Sequence, residues 1–193
     1  MSGPKIQTYT GRIVDPFVLI IADVCLEDIA PALSQICRFT GHTKHFYSVA
    51  QHSVNVAAHV AQDGALPATV WWALMHDAHE AYLGDMSAPL KHLNMMKRYR
   101  EACDDADIII RAALDIPFSP EAERLVRRAD HHLLGVEAGE LLNADITREE
   151  WGFPSVLVRA PWIDLTSWSP YRAATRFLNA FKRYQRLATR RPT

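Results

Sequence analysis

The sequence predicts an all-α fold, a single bundle of roughly six helices behind a short extended arm. Three observations predict it. Apolar residues recur at three- and four-residue intervals in six stretches, the spacing that gathers them on one side of a helix. Capping and stop signals bracket most of those stretches. β-Branched strand signals are confined to the N-terminal arm. The chain has 193 residues, of which 49% are apolar, enough for one well-buried core and too few for two comfortable ones.

Residues 1–24 carry Gly3, Pro4, Gly11 and Pro16 among β-branched residues and read as an arm with one short strand pair. From Glu27 to Cys37, the positions Ile29, Ala30, Leu33, Ile36 and Cys37 fall at helical spacing, and Gly41 breaks the pattern. A second helix spans Phe46 to Ala61 and stops at Asp63-Gly64. Pro67 suits the first turn of a third, running through Tyr82 to a stop at Gly84. Pro89 lies in a loop. A fourth helix covers Met95 to Leu114, ahead of Pro117. Ser119-Pro120 starts a fifth that extends to Ala144, because Ser caps and Pro fits the first turn. Residues 147–168 are rich in Trp and Pro and read as irregular. Trp151, Trp162 and Trp168 read as core, with a subunit contact as the alternative. A last amphipathic helix spans Pro170 to Ala188. The basic residues Lys182, Arg183, Arg186, Arg190 and Arg191 read as a solvated helix end, with a patch for phosphates or an acidic partner as the alternative.

Composition narrows the function. A formal net charge of −1 offers no global field for a stable nucleic-acid complex or a membrane. The 3 Cys residues are odd in number and widely spaced, which argues for a reducing cytoplasm and against a disulfide framework. No Cys-x-x-Cys is present, so a thiolate zinc site is not expected. The first fifteen residues lack the apolar core of a secretory signal.

The chemistry is concentrated in Ala73-Leu74-Met75-His76-Asp77-Ala78-His79-Glu80-Ala81-Tyr82-Leu83-Gly84-Asp85. Adjacent imidazole and carboxylate groups inside an apolar run are expensive unless they are paired or bound to a metal. Imidazole nitrogen and carboxylate oxygen suit Zn, Mn, Co and related divalent ions, with Mg possible. His52 lies on the preceding helix and Asp130 on a later one. Ligands from facing helices are how bundles build metal sites. Glu80 sits one turn beyond His76 on the same face, where a general acid or base belongs. A lone helical His is more often a hydrogen-bonded core residue. Four such groups on three apolar helices shift that balance. His79, His131 and His132 read as surface residues or as supports for the ligands.

The order His52, then His76-Asp77, then Asp130 resembles the HD-domain metal-dependent phosphohydrolases. The blocks Cys37-Arg38-Phe39, Tyr47-Ser48-Val49-Ala50-Gln51-His52-Ser53 and His76 through Lys91 resemble the nucleotide-hydrolysing branch, which holds 5′-deoxynucleotidases and small phage-type deoxynucleoside triphosphate triphosphohydrolases. The similarity covers about residues 20–145. It implies an all-helical HD-type domain and makes His52, His76, Asp77 and Asp130 the metal ligands. It makes Glu80 the catalytic carboxylate, Arg38 the phosphate holder, Lys91 an assistant, and Asp85 a group orienting sugar or water. Phe39 stands where the nucleotidases often carry Trp against the sugar, so sugar selectivity is open. His42, Lys44 and His45 make the following loop cationic, which suits a longer phosphate chain or is an ordinary polar loop. The resemblance also implies a homo-oligomer.

The favoured activity is cleavage of a deoxynucleoside triphosphate, dATP among them, to nucleoside and triphosphate. The alternative is a 5′-deoxynucleotidase that releases phosphate from monophosphates. Rival readings are a cyclic-nucleotide or (p)ppGpp hydrolase, a structural metal module, and a plain helical interaction module.

Overall fold

The computed structural model describes residues 3–153 and 157–190. Part of the Trp- and Pro-rich stretch, residues 154–156, and Arg191 of the basic run lie outside the described residues. The N-terminal arm forms the expected strand pair. β1 (Ile6–Gln7) and β2 (Ile13–Val14) run antiparallel, with Ile6 opposite Val14. Everything else that is regular is helical.

Six α-helices of nine residues or more carry the fold among the described residues: α1 (Leu26–Gln35), α2 (Val49–Gln62), α3 (Pro67–Met75), α6 (Lys97–Ala113), α7 (Pro120–Leu141) and α8 (Pro170–Thr189). Two one-turn helices, α4 (Glu80–Leu83) and α5 (Ala88–Lys91), complete them. The start signals act through visible hydrogen bonds. Ser48, Ser119 and Ser169 each cap a helix by accepting from the backbone N–H three residues on. Pro67, Pro120 and Pro170 occupy first turns, where a missing N–H costs nothing.

The helix α3 is the hub. Thr69 through Met75 are all buried, and α3 packs against α2, α7 and α8. A helix apolar on all sides must be covered on all sides. Its Trp71 and Leu74 share one buried core with Tyr47, Trp168 and Phe177, and Trp71 meets the Phe181 ring edge-on. Of the three Trp residues expected in the core, Trp168 is buried, Trp151 is half-buried and Trp162 stays exposed.

The helix expected from Phe46 starts at Val49, that from Met95 at Lys97, and that to Ala144 ends at Leu141; three further differences bear on the site. The expected helix from Pro67 to Tyr82 stops at Met75, and residues 76–79 form turns before α4. There Ala78 N–H reaches Met75 O, and Glu80 N–H reaches Asp77 O, three residues back instead of four. His76 and Asp77 therefore lie in an overwound turn, not in a helix. The apolar pattern continues through that turn, so periodicity does not reveal it. Pro89 is not in a loop but at the start of α5, in a first turn that tolerates it. The first helix ends at Gln35. Cys37 instead pairs with Ser48 in an isolated bridge, which aligns Arg38 beside α2.

Candidate metal centre

Four segments converge on one point. α2 brings His52, the turn after α3 brings His76 and Asp77, α7 brings Asp130, and the bridge after α1 brings Arg38. His52, His76 and Asp130 each present one ligand atom, and these atoms lie within 4.8 Å of one another. Asp77 Oδ2 stands 3.2 Å from His76 Nε2 and 3.6 Å from His52 Nε2. All four expected metal ligands are thus brought together.

The outer nitrogens of the two imidazoles are fixed. His76 Nδ1–H donates to Ala73 O at 2.8 Å, since a carbonyl can only accept. His52 Nδ1 meets Glu137 Oε1 at 2.7 Å. Holding Nδ1 this way turns each Nε2 toward the cluster, as in histidines that bind metals. Both Nε2 atoms are buried and have no properly directed hydrogen bond, although His52 Nε2 is 3.0 Å from Asp130 Oδ1. Groups that are close but aim past one another are what ligands converging on a common ion present. The donor set therefore fits a divalent cation.

Charge supports the same fit. Burial pushes the Asp77, Asp130 and Glu137 carboxyls up, yet the neighbouring His76 and His52 and the Arg38 guanidinium overcome it and hold all three below the usual range. Three carboxylates and one guanidinium leave a surplus of two negative charges when the imidazoles are neutral. One dication cancels that surplus, and so do two imidazole protons. Without a metal, burial and Arg38 oppose charge on His52, and burial opposes it on His76. The facing carboxylates prevail and raise both.

Glu80 differs from the other acids. It is 6% exposed, and its Oε2 is buried without a partner. Burial, reinforced by Asp77 and Asp85, pushes its carboxyl well above the ordinary range. A carboxyl raised in this way holds its proton more tightly than an ordinary acid and can give one to a leaving group. Asp85 is half-buried and is raised in the same sense, mainly by burial.

Arg38 is buried. Its Nε donates to Glu137 Oε2 at 3.1 Å, and its Nη1 lies 3.5 Å from Asp77 Oδ2. Phe39 and Thr40, next to it, both have positive φ, 55° and 54°. Two consecutive non-Gly residues there are strained, and the kink sets the Phe39 ring 5.6 Å from the Arg38 guanidinium. The loop that follows is spent differently. Lys44 Nζ donates to Glu140 O, His45 Nε2 meets Leu165 O, and His42 is exposed. The structure does not bring these three to the cluster. Lys91 does approach it, in a cavity of about 580 Å³ lined by His76, His79, Arg100, Asp107 and Asp130. Asp130 remains 39% exposed there, so the cluster opens into that space. A cavity of about 640 Å³ lies elsewhere, between α2 and α8, and contains none of these groups.

Sequence reasoning missed Glu137, Tyr47 and Asp107. Glu137 is fully buried and accepts from Arg38, His52 and Tyr47 at once. The signal was available, because Glu137 follows Asp130 by seven residues, two turns along one helical face. Asn55 Nδ2 in turn donates to Tyr47 Oη and to Asp164 O. Asp107 on α6 accepts from His79 Nδ1 at 3.0 Å. Burial works against charge on His79, but Asp107 outweighs it and holds the imidazole well above its usual pKa.

The HD-domain family profile matches residues 32–116, which include Arg38, His52, His76, Asp77, Glu80, Asp85 and Lys91. Asp130 lies beyond that match and joins the cluster through α7. Protein YfdR of Escherichia coli, described as uncharacterized, is 40% identical over 136 residues, 70% of this chain and 71% of its own. A Rhodobacter capsulatus protein, also described as uncharacterized, is 32% identical over 174 residues, 86% of this chain and 88% of its own. With the helical bundle and the His–His–Asp cluster in place, these similarities establish that the chain belongs to the HD-domain family, whose chemistry is metal-dependent phosphohydrolysis.

Proposed function

We propose that the protein hydrolyses deoxynucleotides at the 5′-phosphate end, with deoxynucleoside triphosphates, dATP among them, as the favoured substrates and triphosphate as the product. One observation carries the reading: two buried, unpartnered Nε2 atoms converge with Asp77 and Asp130 near Glu80, a buried carboxyl whose Oε2 has no partner. His52, His76, Asp77 and Asp130 would hold the ion, of which Co, Mn and Zn suit this nitrogen–oxygen set and Mg is the weaker fit. A divalent ion there supplies Lewis-acid polarisation of the phosphoryl group and an acidified water.

The chain's own residues do the rest. Arg38 presents its guanidinium beside Asp77, where a phosphoryl oxygen arrives, and its planar fork matches that group. Phosphoryl transfer asks mainly for positioning and for neutralised charge. Glu80 gives its proton to the departing 5′ oxygen of the nucleoside, the bond that breaks when the α-phosphorus is attacked. Asp85 orients sugar or water from its half-buried place. The Phe39 ring flanks the guanidinium and borders the sugar.

The cavity supports the longer phosphate chain. Lys91 and His92 line it alongside His76 and Asp130, together with Asp104 and Asp107, while Arg127 is paired with Glu123. This support replaces that of Lys44 and His45, which are committed to backbone carbonyls. The second reading, a 5′-deoxynucleotidase, is favoured by Arg38 being, among the described residues, the one guanidinium paired at the cluster, enough for a single phosphate. Product analysis decides. Chelated protein resupplied with Mn, Co, Zn or Mg is offered dNTPs, dNMPs and their ribose forms. Inorganic triphosphate from a dNTP supports the first reading, and phosphate from dNMPs alone supports the second. No turnover with any metal overturns both.

A further inference from the structure

The helix α8 does more than close the bundle. Its buried face, with Ala173, Phe177 and Phe181, packs on α1, α2 and α3. Its twenty residues include five cations and no acid. Among the described residues, Arg176, Lys182, Arg183 and Arg186 form no ion pair, and Arg172 shares Asp164 at 3.4 Å. Arg172, Arg176 and Arg183 lie at spacings of four and seven, hence along one face. They border the cavity of about 640 Å³ whose floor is Val54 and Ala58 of α2 and Ala180 of α8. The small side chains of Ala58 and Ala180 leave the hollow.

Two of the guanidinium groups are held in position. Arg172 and Arg176 both lie over the buried Trp168 ring, at 4.8 and 4.9 Å from its centroid. Like charges one turn apart repel, so the arrangement favours an anion between them. Guanidinium groups fixed in advance lose little freedom when they take up phosphate oxygens. Tyr171 and Tyr184 also border the cavity and offer aromatic faces, and Asn179 offers an amide that both donates and accepts. Arginines for phosphate, rings for stacking and an amide for a base edge make one chemical match.

We propose that this groove is a second ligand site, separate from the metal cluster, that takes a nucleoside phosphate. Its volume suits one small molecule. A nucleic-acid strand would call for basic residues on more than one element, whereas the cations that border this cavity, Arg172, Arg176 and Arg183, all lie on α8.

The test is equilibrium dialysis of labelled dATP with the full chain in excess chelator, which removes metal-assisted binding at the cluster. The wild type is compared with the double variant Arg176→Glu/Arg183→Glu, both exposed positions. The expected result is one nucleotide bound per chain with chelator present, weakened about tenfold or more in the double variant. A circular-dichroism spectrum and a melting temperature that match wild type show that the double variant is folded. Equal nucleotide binding by the two proteins overturns the proposal. So does a double variant that loses only a single-stranded oligonucleotide and keeps dATP. Because the chelator silences hydrolysis, failure of the catalytic reading leaves this result unaffected.

Discussion

Glu137 and His52 meet at the heart of the site, Oε1 to Nδ1 at 2.7 Å, although 85 residues separate them in the chain. The same carboxylate also receives Arg38 and Tyr47. One acid therefore orients a ligand, neutralises a phosphate-binding candidate and satisfies a buried phenol. Glu137→Ala removes the acceptor of all three and leaves Arg38 only Asp77 and Tyr47 only the Asn55 amide. Breaking a buried charge pair on one side costs about 3–5 kcal/mol, so a large fall in denaturant midpoint is expected. Glu137→Gln keeps a neutral acceptor and is the milder change. It should weaken metal affinity about 10–100-fold, the usual effect of losing a ligand's support, as read by titration calorimetry. Unchanged affinity in the folded Gln variant would count against the orienting role.

Asp77 tests the cluster itself. Asp77→Ala removes the carboxylate nearest His76 Nε2. The purified variant should carry little metal by elemental analysis and turn over about 100-fold slower or worse. A variant that retains both metal and full activity sinks the ligand assignment.

Metal uptake should depend on pH in a fixed direction. Facing carboxylates raise the pKa of His52 and His76 in the metal-free protein, so protons occupy the site to a higher pH than they would on free imidazole. A dication must displace them. Affinity therefore rises as pH rises through the imidazole range and falls in acid. Calorimetry in buffers of different ionisation enthalpy should show proton release on binding. Affinity independent of pH from 5.5 to 8 would contradict the charge balance described above.

Glu80 carries the opposite sign from an ordinary paired carboxylate. Its folded-state pKa is raised, mainly by burial, so the native protein binds its proton more tightly than the unfolded chain does. The stability of the metal-free protein therefore falls as pH climbs above the unfolded carboxyl pKa and toward the folded one. Glu80→Gln removes that penalty. It should raise the melting temperature at pH 8 by roughly 2–4 °C for each kcal/mol relieved, with little change at pH 4. The same variant should lose turnover, because the amide has no acid proton to give. A variant less stable than wild type at pH 8 would argue against the protonated reading.

Much of this was legible in the chain. Ser119-Pro120 and Pro170 marked helix starts correctly because a cap and a first-turn proline act locally. His52, His76, Asp77 and Asp130 stood out because polar groups in apolar runs need a compensating partner. The break after Met75 was hidden, since a change from four-residue to three-residue bonding leaves the apolar pattern intact. Spacing from Asp130 pointed to Glu137, but the groups it serves were hidden for another reason. Its partners lie on the first half of the chain, and a single sequence does not show which buried acid meets which buried base. The cationic look of residues 42–45 misled in a third way. Composition counts Lys44 and His45 as charge available to a ligand, whereas the fold spends them on the carbonyls of Glu140 and Leu165.

The polar ladder from the cluster does not stop at Tyr47. Asn55 accepts the peptide hydrogen of Asp164 through its Oδ1 while donating to Asp164 O. Asp164 itself takes the Trp168 indole hydrogen at 2.9 Å. The amide of Asp164 thus sits a few hydrogen bonds from His52 and touches no candidate ligand of the metal. Local opening that exposes this amide must loosen the Asn55 end of the ladder. Its deuterium exchange is therefore a remote gauge of the cluster, slow when the ladder is intact and fast when its far end is cut.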